Sequence, residues 1–516
     1  MRKTLAVALL LLVSCAATKR RAVEPRAPWH HEWARGAVFY EIFVRSFADS
    51  DGDGVGDFNG MTAKLDYLDS LGIDGIWLMP MFESTSYHGY DTTDYDNVER
   101  DYGTNADFQR FLDEAHKRDI RVIVDLVLNH TSVEHPWFVE SASSPSSPRR
   151  DWYVWRATDP GWKQPWGGYD PSWHFRNGAY YYGAFWSGMP DLNYDNAAAK
   201  AEMFRITRSW LERGVSGYRL DATRYLVETG PGEAGQADTA GTRRVLAELS
   251  AEVRKVRPDS VLVAENTVDT AKLATYYDSM PMNFNFPLAA AIVEGVKNGS
   301  ATGIVHVLRD VLRLYPRGAI DAPFLTNHDQ TRIATVLGND DGKLRSAAAI
   351  LLTLPGMPFL YYGEEVGLDN GPGSNDEAKR TPMPWSAAGG FTTGTPWHAY
   401  APGVAADNVA SQANDPASLL SHYRGWIAAR KATGALSKGT IAPLEAPVSV
   451  LAFVRESGDE RVLVVHNLGR SPSEVALPVD AAGFENIHGN VPAPNGSRGA
   501  WRVSVPAYGS AAWRLR

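Results

Sequence analysis

The chain is poor in cysteine, with one residue in 516, Cys15. That excludes an intramolecular disulfide, and it leaves no cysteine nucleophile within the folded part. Basic charge is also in short supply. Lys and Arg number 51 against 60 Asp and Glu, a net charge of −9, which provides no electrostatic footprint for nucleic acid and favours neutral, polar or small-molecule partners. The N-terminal apolar run, residues 5–13, is only nine residues long, against the ~20 that a membrane-spanning helix needs. A glycine-rich phosphate loop and a Ser-His-Asp arrangement are likewise missing. What the chain does have is aromatic surface: 16 Trp and 22 Tyr, flat amphipathic rings that suit stacking on sugars as well as core packing. At 516 residues it exceeds what one hydrophobic core supports, so two or three domains are expected.

The N-terminus reads as a targeting segment. Arg2 and Lys3 precede the apolar run, and small residues follow it, the order of a secretory leader. Leu12-Val13-Ser14-Cys15 resembles a bacterial lipobox, where cleavage before the cysteine leaves it lipid-modified. The expectation is a leader and lipobox over residues 1–15, lipidation at Cys15, a tether over 16–33, and an exported protein that is membrane-anchored or extracellular.

Further on, short apolar runs alternate with helical patterns. Candidate strands cover residues 38–47, 73–79, 121–129, 215–221, 261–265, 283–287, 323–327 and 358–362, with amphipathic stretches such as 107–117 and 200–213 between them. Asn105 is a candidate N-cap for the first of these stretches. Eight largely apolar strands separated by helices predict a (β/α)8 barrel over residues 34–129 and 197–434, its strands buried on both faces. Residues 130–196, rich in Pro, Gly, Ser and Trp, are too long for a connection and read as an inserted domain. From 435 to 516 short alternating runs predict an all-β C-terminal domain.

A barrel builds its site at the C-terminal ends of its strands, and the polar clusters fall there. Asp125 to His130 closes the third strand, Arg219 and Asp221 the fourth, Glu265 the fifth, and Asn327-His328-Asp329 the seventh. Side chains two apart on a strand point the same way, so Arg219 can hold Asp221 ionised. Glu265 follows Val261-Leu262-Val263-Ala264, and partial desolvation there raises a carboxyl pKa, as a general acid requires. A structural salt bridge is the alternative for Arg219 and Asp221, but such bridges have no reason to gather at one end of four strands. Two carboxylates on opposite sides of a bond are what glycoside cleavage needs, with a third free to grip the sugar.

These segments carry a resemblance. Asp125-Leu-Val-Leu-Asn129-His130, residues 217–225, Val263-Ala-Glu265-Asn266 and Phe324-Leu-Thr-Asn-His328-Asp329 are similar, in order and placement, to the short conserved regions of the α-amylase family of glycoside hydrolases (family 13). The resemblance implies a TIM barrel with a domain B after the third strand and an antiparallel β-sandwich as C-terminal domain. It implies that Asp221 is the nucleophile, Glu265 the acid/base and Asp329 the transition-state stabiliser. Substrate-binding roles are implied for Tyr90, Asp91, His130, Arg219, His328 and Arg380. Members retain anomeric configuration, with carboxyl groups ~5–5.5 Å apart.

The loop Asp49-Ser-Asp51-Gly-Asp53-Gly-Val55-Gly-Asp57 places hard oxygen donors at alternate positions, which suits Ca²⁺. The resemblance implies ligands from Asp49, Asp51, Asp53, Val55 (through its carbonyl) and Asp57. A second calcium near Asn129 is put in question by Tyr225, where α-amylases proper carry a histidine. Met189-Pro-Asp-Leu-Asn193 resembles a form intermediate between oligo-1,6-glucosidases and neopullulanases, and Arg380-Thr-Pro-Met-Pro-Trp385 the former. The expected activity is internal cleavage of α-1,4 bonds in starch and maltooligosaccharides. Alternatives are an exo-acting α-glucosidase, a trehalose synthase-like transglycosylase or, from another class, a non-catalytic glucan-binding lipoprotein.

Overall fold

A computed structural model describes residues 29–516. The leader, the lipobox with Cys15 and most of the expected tether lie outside the described residues. Eight strands form one all-parallel sheet: β1 (Phe39–Ile42), β2 (Gly75–Leu78), β3 (Arg121–Leu126), β4 (Gly217–Leu220), β5 (Val261–Ala264), β6 (Met282–Phe284), β7 (Ile320–Ala322) and β8 (Phe359–Tyr361). Their order is β7-β6-β5-β4-β3-β2-β1-β8. A parallel bridge between Phe324 and Phe359 closes the ring. The expected TIM barrel is therefore present, and its strands are buried on both faces.

Strand alternation explains the site's position. Phe39, Trp77, Ile123, Val261 and Val263 pack with Phe284 and Phe359 in one apolar cluster, which fills the barrel. Two residues further along the same columns come Glu41 on β1 and Asp125 on β3, and Glu265 two beyond Val263. In register, Arg219 pairs with Val263 on one side and Asp125 on the other. The barrel interior thus switches from apolar to charged at a single level. Gly217 starts this column on β4 because nothing larger fits: its φ is +141° and a Cβ would lie 1.8 Å from the Val261 carbonyl oxygen.

Several boundaries differ from expectation. The seventh strand is Ile320–Ala322, not 323–327, since Pro323 has no N–H for a ladder and the following residues form the polar loop. The sixth ends at Phe284 because Asn285 caps the helix Phe286–Asn298 by accepting from the Leu288 amide at 2.9 Å. Residues Val44–Phe47, expected in the first strand, turn helical. Thr104, not Asn105, caps the helix Asn105–Lys117 through a reciprocal box with Asp107. Asn105 instead accepts from the Val98 amide at 3.0 Å.

Between β3 and β4 the chain forms a helix, Pro136–Ser143, and a three-stranded sheet of Trp155–Arg156, Ala179–Tyr182 and Trp173–Arg176. An unanticipated excursion follows β2: the antiparallel pair Phe82–Ser84 and Thr92–Val98, whose connection carries Tyr90 and Asp91. After the barrel, a five-stranded antiparallel sheet faces the pair Ser473–Leu477 and Trp501–Val505 around Val450, Val465, Val475, Val503 and Trp513. Arg455 ties this sheet to the barrel, with its buried guanidinium donating to the carbonyls of Thr353, Gly439 and Thr440.

Gly217→Ala should lower the unfolding free energy by more than about 4 kcal/mol, or prevent folding, because the clash is with backbone. Thermal melting monitored by circular dichroism checks this, and a loss within about 0.5 kcal/mol would contradict the packing described.

Candidate active site

One guanidinium organises the charged layer. Arg219, 1% exposed, donates from Nη1 to both oxygens of Asp125 at 2.9 Å and to Asp221 Oδ1 at 2.6 Å. Its Nη2 lies 2.9 Å from Glu265 Oε2, and its cationic carbon sits 5.3 Å from the Trp77 ring centroid below. Glu265 also accepts from the Ala222 amide at 3.1 Å. Ala222, directly after Asp221, has φ of 49°, a left-handed conformation uncommon outside glycine. That twist is what turns the amide toward Glu265. Thr223 donates to the Glu265 carbonyl at 2.6 Å and fixes the backbone of the fifth strand's end.

The third carboxylate, Asp329, is half-exposed toward the same space. Its Oδ1 lies 3.0 Å from Arg380 Nη2, and its Oδ2 lies 3.2 Å from His328 Nε2. His328 and Arg380 hold Asp329 well below the usual carboxylate range, against the effect of burial. Burial pushes Glu265 up, with Arg219 opposing and Asp221 and Asp329 reinforcing the rise. The expectation that Arg219 holds Asp221 ionised meets an opposing effect. Burial raises the Asp221 carboxyl and is the larger effect, with Arg219 pulling it back. Asp125 is raised by burial to about 7. Arg219, Arg380 and a protonated His328 face Glu41, Asp125, Asp221, Glu265 and Asp329, so the cluster has fewer positive than negative groups and retains protons at neutral pH. Glu265 and Asp221 are both raised by burial, and the guanidinium approaches Asp221 more closely, at 2.6 Å against 2.9 Å for Glu265.

Asp221, Glu265 and Asp329 line one cavity of about 360 Å³ together with Tyr90, His130 and Arg380. The other three expected substrate contacts sit behind the wall. Arg219 and His328 are 1% and 0% exposed and act on neighbouring side chains. Asp91, 4% exposed, accepts from the hydroxyls of Thr85 and Ser86 and so shapes the loop that presents Tyr90. The Tyr90 ring lies nearly parallel to His328, centroids 5.7 Å apart, with its hydroxyl 2.6 Å from Nε2. His130 Nε2 lies 3.2 Å from the Tyr90 carbonyl, and burial lowers its pKa to about 4, so it is neutral.

An aromatic wall completes the cavity, of which Phe185 alone was not singled out in the sequence. Trp166, Phe185 and Tyr225 pack edge and face with centroids 5.2–5.7 Å apart, and Arg224 lies over Tyr225. They come from the insertion and from the loop after β4, far apart in sequence, and only their aromatic character was a signal. Glu41 and Asp125 each interrupt an apolar strand, which was readable as a charge placed inside a barrel.

In the acidic loop, oxygens of Asp49, Asp51 and Asp57 converge within 4.8 Å of one another. Asp53 is not part of that convergence; its carboxylate accepts from the Val55 amide at 2.7 Å. Asp57 also caps the helix Phe58–Ala63. Elsewhere, Asn129 Oδ1 and Asp191 Oδ2 are buried and accept no hydrogen bond among the described residues.

The sequence profile of the α-amylase catalytic domain matches residues 41–439, and that of the maltogenic amylase C-terminal domain matches residues 444–512. The chain belongs to the α-amylase family of glycoside hydrolases. This family member is 41% identical to alpha-amylase 3 of Dictyoglomus thermophilum over 86% of each chain. It is 34% identical to a trehalose synthase of Pimelobacter sp. over 94% of this chain and 96% of that one. Its fold superposes on the α-amylase from H. orenii with a TM-score of 0.83 at 36% identity, covering 93% of this chain and 99% of the other.

Arg219→Lys should cost on the order of 10²–10³ in kcat/KM, because one ammonium cannot bridge three carboxylates and leaves buried charge unpaired. Steady-state kinetics alongside a melting curve measure it; activity within threefold of wild type would contradict the bridging role.

Proposed function

We propose that the enzyme hydrolyses internal α-1,4-glucosidic bonds of starch and maltooligosaccharides with retention of configuration. The observation that carries this reading is that Asp221 and Glu265 sit on two nitrogens of one buried guanidinium and line one cavity. Asp221 attacks the anomeric carbon while Glu265 passes its proton to the departing glycosidic oxygen, giving a glycosyl ester on Asp221. Glu265, now a carboxylate, takes a proton from water as that water attacks the same carbon, and Asp221 is released. Asp329, held anionic between Arg380 and His328, binds sugar hydroxyls as the ring flattens. Tyr90 and His130 border the sugar, and the aromatic wall of Trp166, Phe185 and Tyr225 supplies flat apolar surface for further rings.

A second reading has its own support. Tyr225, Trp166 and Arg224 line the same cavity as Glu265, with Trp166 packed against Tyr225. A wall that retains the departing sugar favours transfer or exo action, as in a trehalose synthase-like enzyme or an α-glucosidase. The Met189-Pro-Asp-Leu-Asn193 segment, which resembles the form intermediate between oligo-1,6-glucosidases and neopullulanases, reaches this cavity through Met189. A maltoheptaose time course separates the two. Internal cleavage gives mixed oligomers at the earliest points, and Glu265→Gln should lower the rate at least ~10³-fold. Glucose or trehalose as the first product would overturn the endo reading. Binding of amylose with no reducing ends released by wild type would favour a glucan-binding protein.

We infer also that Ca²⁺ binds the acidic loop through Asp49, Asp51 and Asp57, cross-linking residues that otherwise repel. The donor set fits, being all hard carboxylate oxygens on a short loop. Chelation should lower the melting temperature of wild type. Asp51→Ala should remove most of that response and Asp53→Ala should keep it; equal behaviour of the two variants would contradict the assignment. The basic-then-apolar N-terminal run and Leu12-Val13-Ser14-Cys15 support export and lipid anchoring at Cys15 as part of this reading.

A further inference from the structure

We propose that Glu41 is a positioning residue for the reaction, fixing through His328 the orientation and charge of Asp329. The proposal rests on the role given to Asp329 above. Glu41 lies on β1 at the level where the barrel interior turns polar, 1% exposed and outside the substrate cavity. Its Oε1 is 2.6 Å from His328 Nδ1. The other ring nitrogen faces Asp329 Oδ2 at 3.2 Å and the Tyr90 hydroxyl at 2.6 Å.

The imidazole has no freedom to rotate. Tyr90 lies almost parallel to it at 5.7 Å, and the Trp77 ring meets it edge-on at 5.7 Å. With a carboxylate at each end, both nitrogens carry protons. Tyr90 then accepts from Nε2 and donates onward to Asp125 Oδ2, 3.2 Å away.

The charged groups around the ring are Glu41 from β1, Asp125 from β3, Arg219 and Asp221 from β4, Asp329 from its own loop and Arg380. Burial works against the imidazolium, but Asp329 and Glu41 outweigh it and raise His328 to about 9. Burial also raises Glu41, which His328 and Arg219 counter. Removing the Glu41 charge leaves Asp329 as the one carboxylate in contact with the ring. His328 then loses its proton at a lower pH, and Asp329 loses a cationic neighbour within the working range. Because Asp329 meets the sugar and Glu41 does not, the effect reaches the reaction only through the ring.

Glu41→Gln separates charge from shape, since the amide oxygen can still accept from Nδ1. In ¹⁵N-histidine-labelled protein, the His328 imidazole of the wild type should titrate near 9 and that of Glu41→Gln at least one pH unit lower. On a chromogenic maltooligosaccharide, kcat of the variant should stay within about threefold of wild type below its new titration point. Above that point it should fall tenfold or more, with KM little changed. Glu41→Asp, which keeps the charge, should restore the imidazole titration in large part. An unshifted imidazole in Glu41→Gln overturns the relay, as does a kcat loss that is the same at every pH. Wild-type kcat in Asp329→Asn would instead overturn the role given to Asp329, and the imidazole titration, which needs no turnover, tells the two failures apart.

Discussion

The buried guanidinium of Arg219 is the interaction on which the site depends. A cation at 1% exposure is tolerable only because Asp125, Asp221 and Glu265 surround it. Those three carboxylates come from the ends of three adjacent strands, β3, β4 and β5. Strand register brings them to one level, and Gly217 makes the register possible by letting β5 approach β4 closely. The same contacts that stabilise the charge fix Asp221 and Glu265 relative to each other, so geometry and electrostatics cannot be adjusted separately.

The remaining polar groups divide the labour by depth. Asp329, Tyr90, His130 and Arg380 face the cavity, whereas Glu41, Asp125, Arg219 and His328 sit beneath and set charge and orientation. Such a layer is what preorganised electrostatic stabilisation requires: groups already aligned when positive charge develops on the sugar. The left-handed backbone at Ala222 belongs to this layer, since it aims an amide at Glu265. The cost of that conformation is borne by a residue packed too tightly to relax.

Much of this was legible in the sequence because barrels have a simple grammar. An apolar strand that ends in a charge marks a column entering the site, and Asp221, Glu265 and Asp329 could be read that way. The seventh strand was misplaced by a few residues because Pro323 and the apolar Phe324-Leu325 look strand-like out of context, and only pairing with β6 and β8 decides. The hairpin after β2 was invisible, since Phe82–Ser84 is only three residues long and Thr92–Val98 is largely polar. Asp91 and His328 read as sugar contacts by position in a motif, and what the sequence did not show is that Asp91 also accepts from Thr85 and Ser86 and that His328 lies between Glu41 and Asp329. The aromatic wall depends on a fold of the insertion that periodicity does not reveal. Asp53 looked equivalent to its neighbours in the acidic loop and is set apart only by where the turn directs its carboxylate.

The central claim is that Asp221 forms a covalent bond to the sugar. Incubation with a 5-fluoro-α-glucosyl fluoride tests it directly, because the ring fluorine slows collapse of the ester while fluoride leaves readily. Intact-mass measurement followed by peptide mapping should find one fluoroglucosyl group per chain, located on Asp221, and none on the Asp221→Asn variant. Turnover of soluble starch by an enzyme that accumulates no adduct, or an adduct on Glu265 or Asp329, would contradict the assignment.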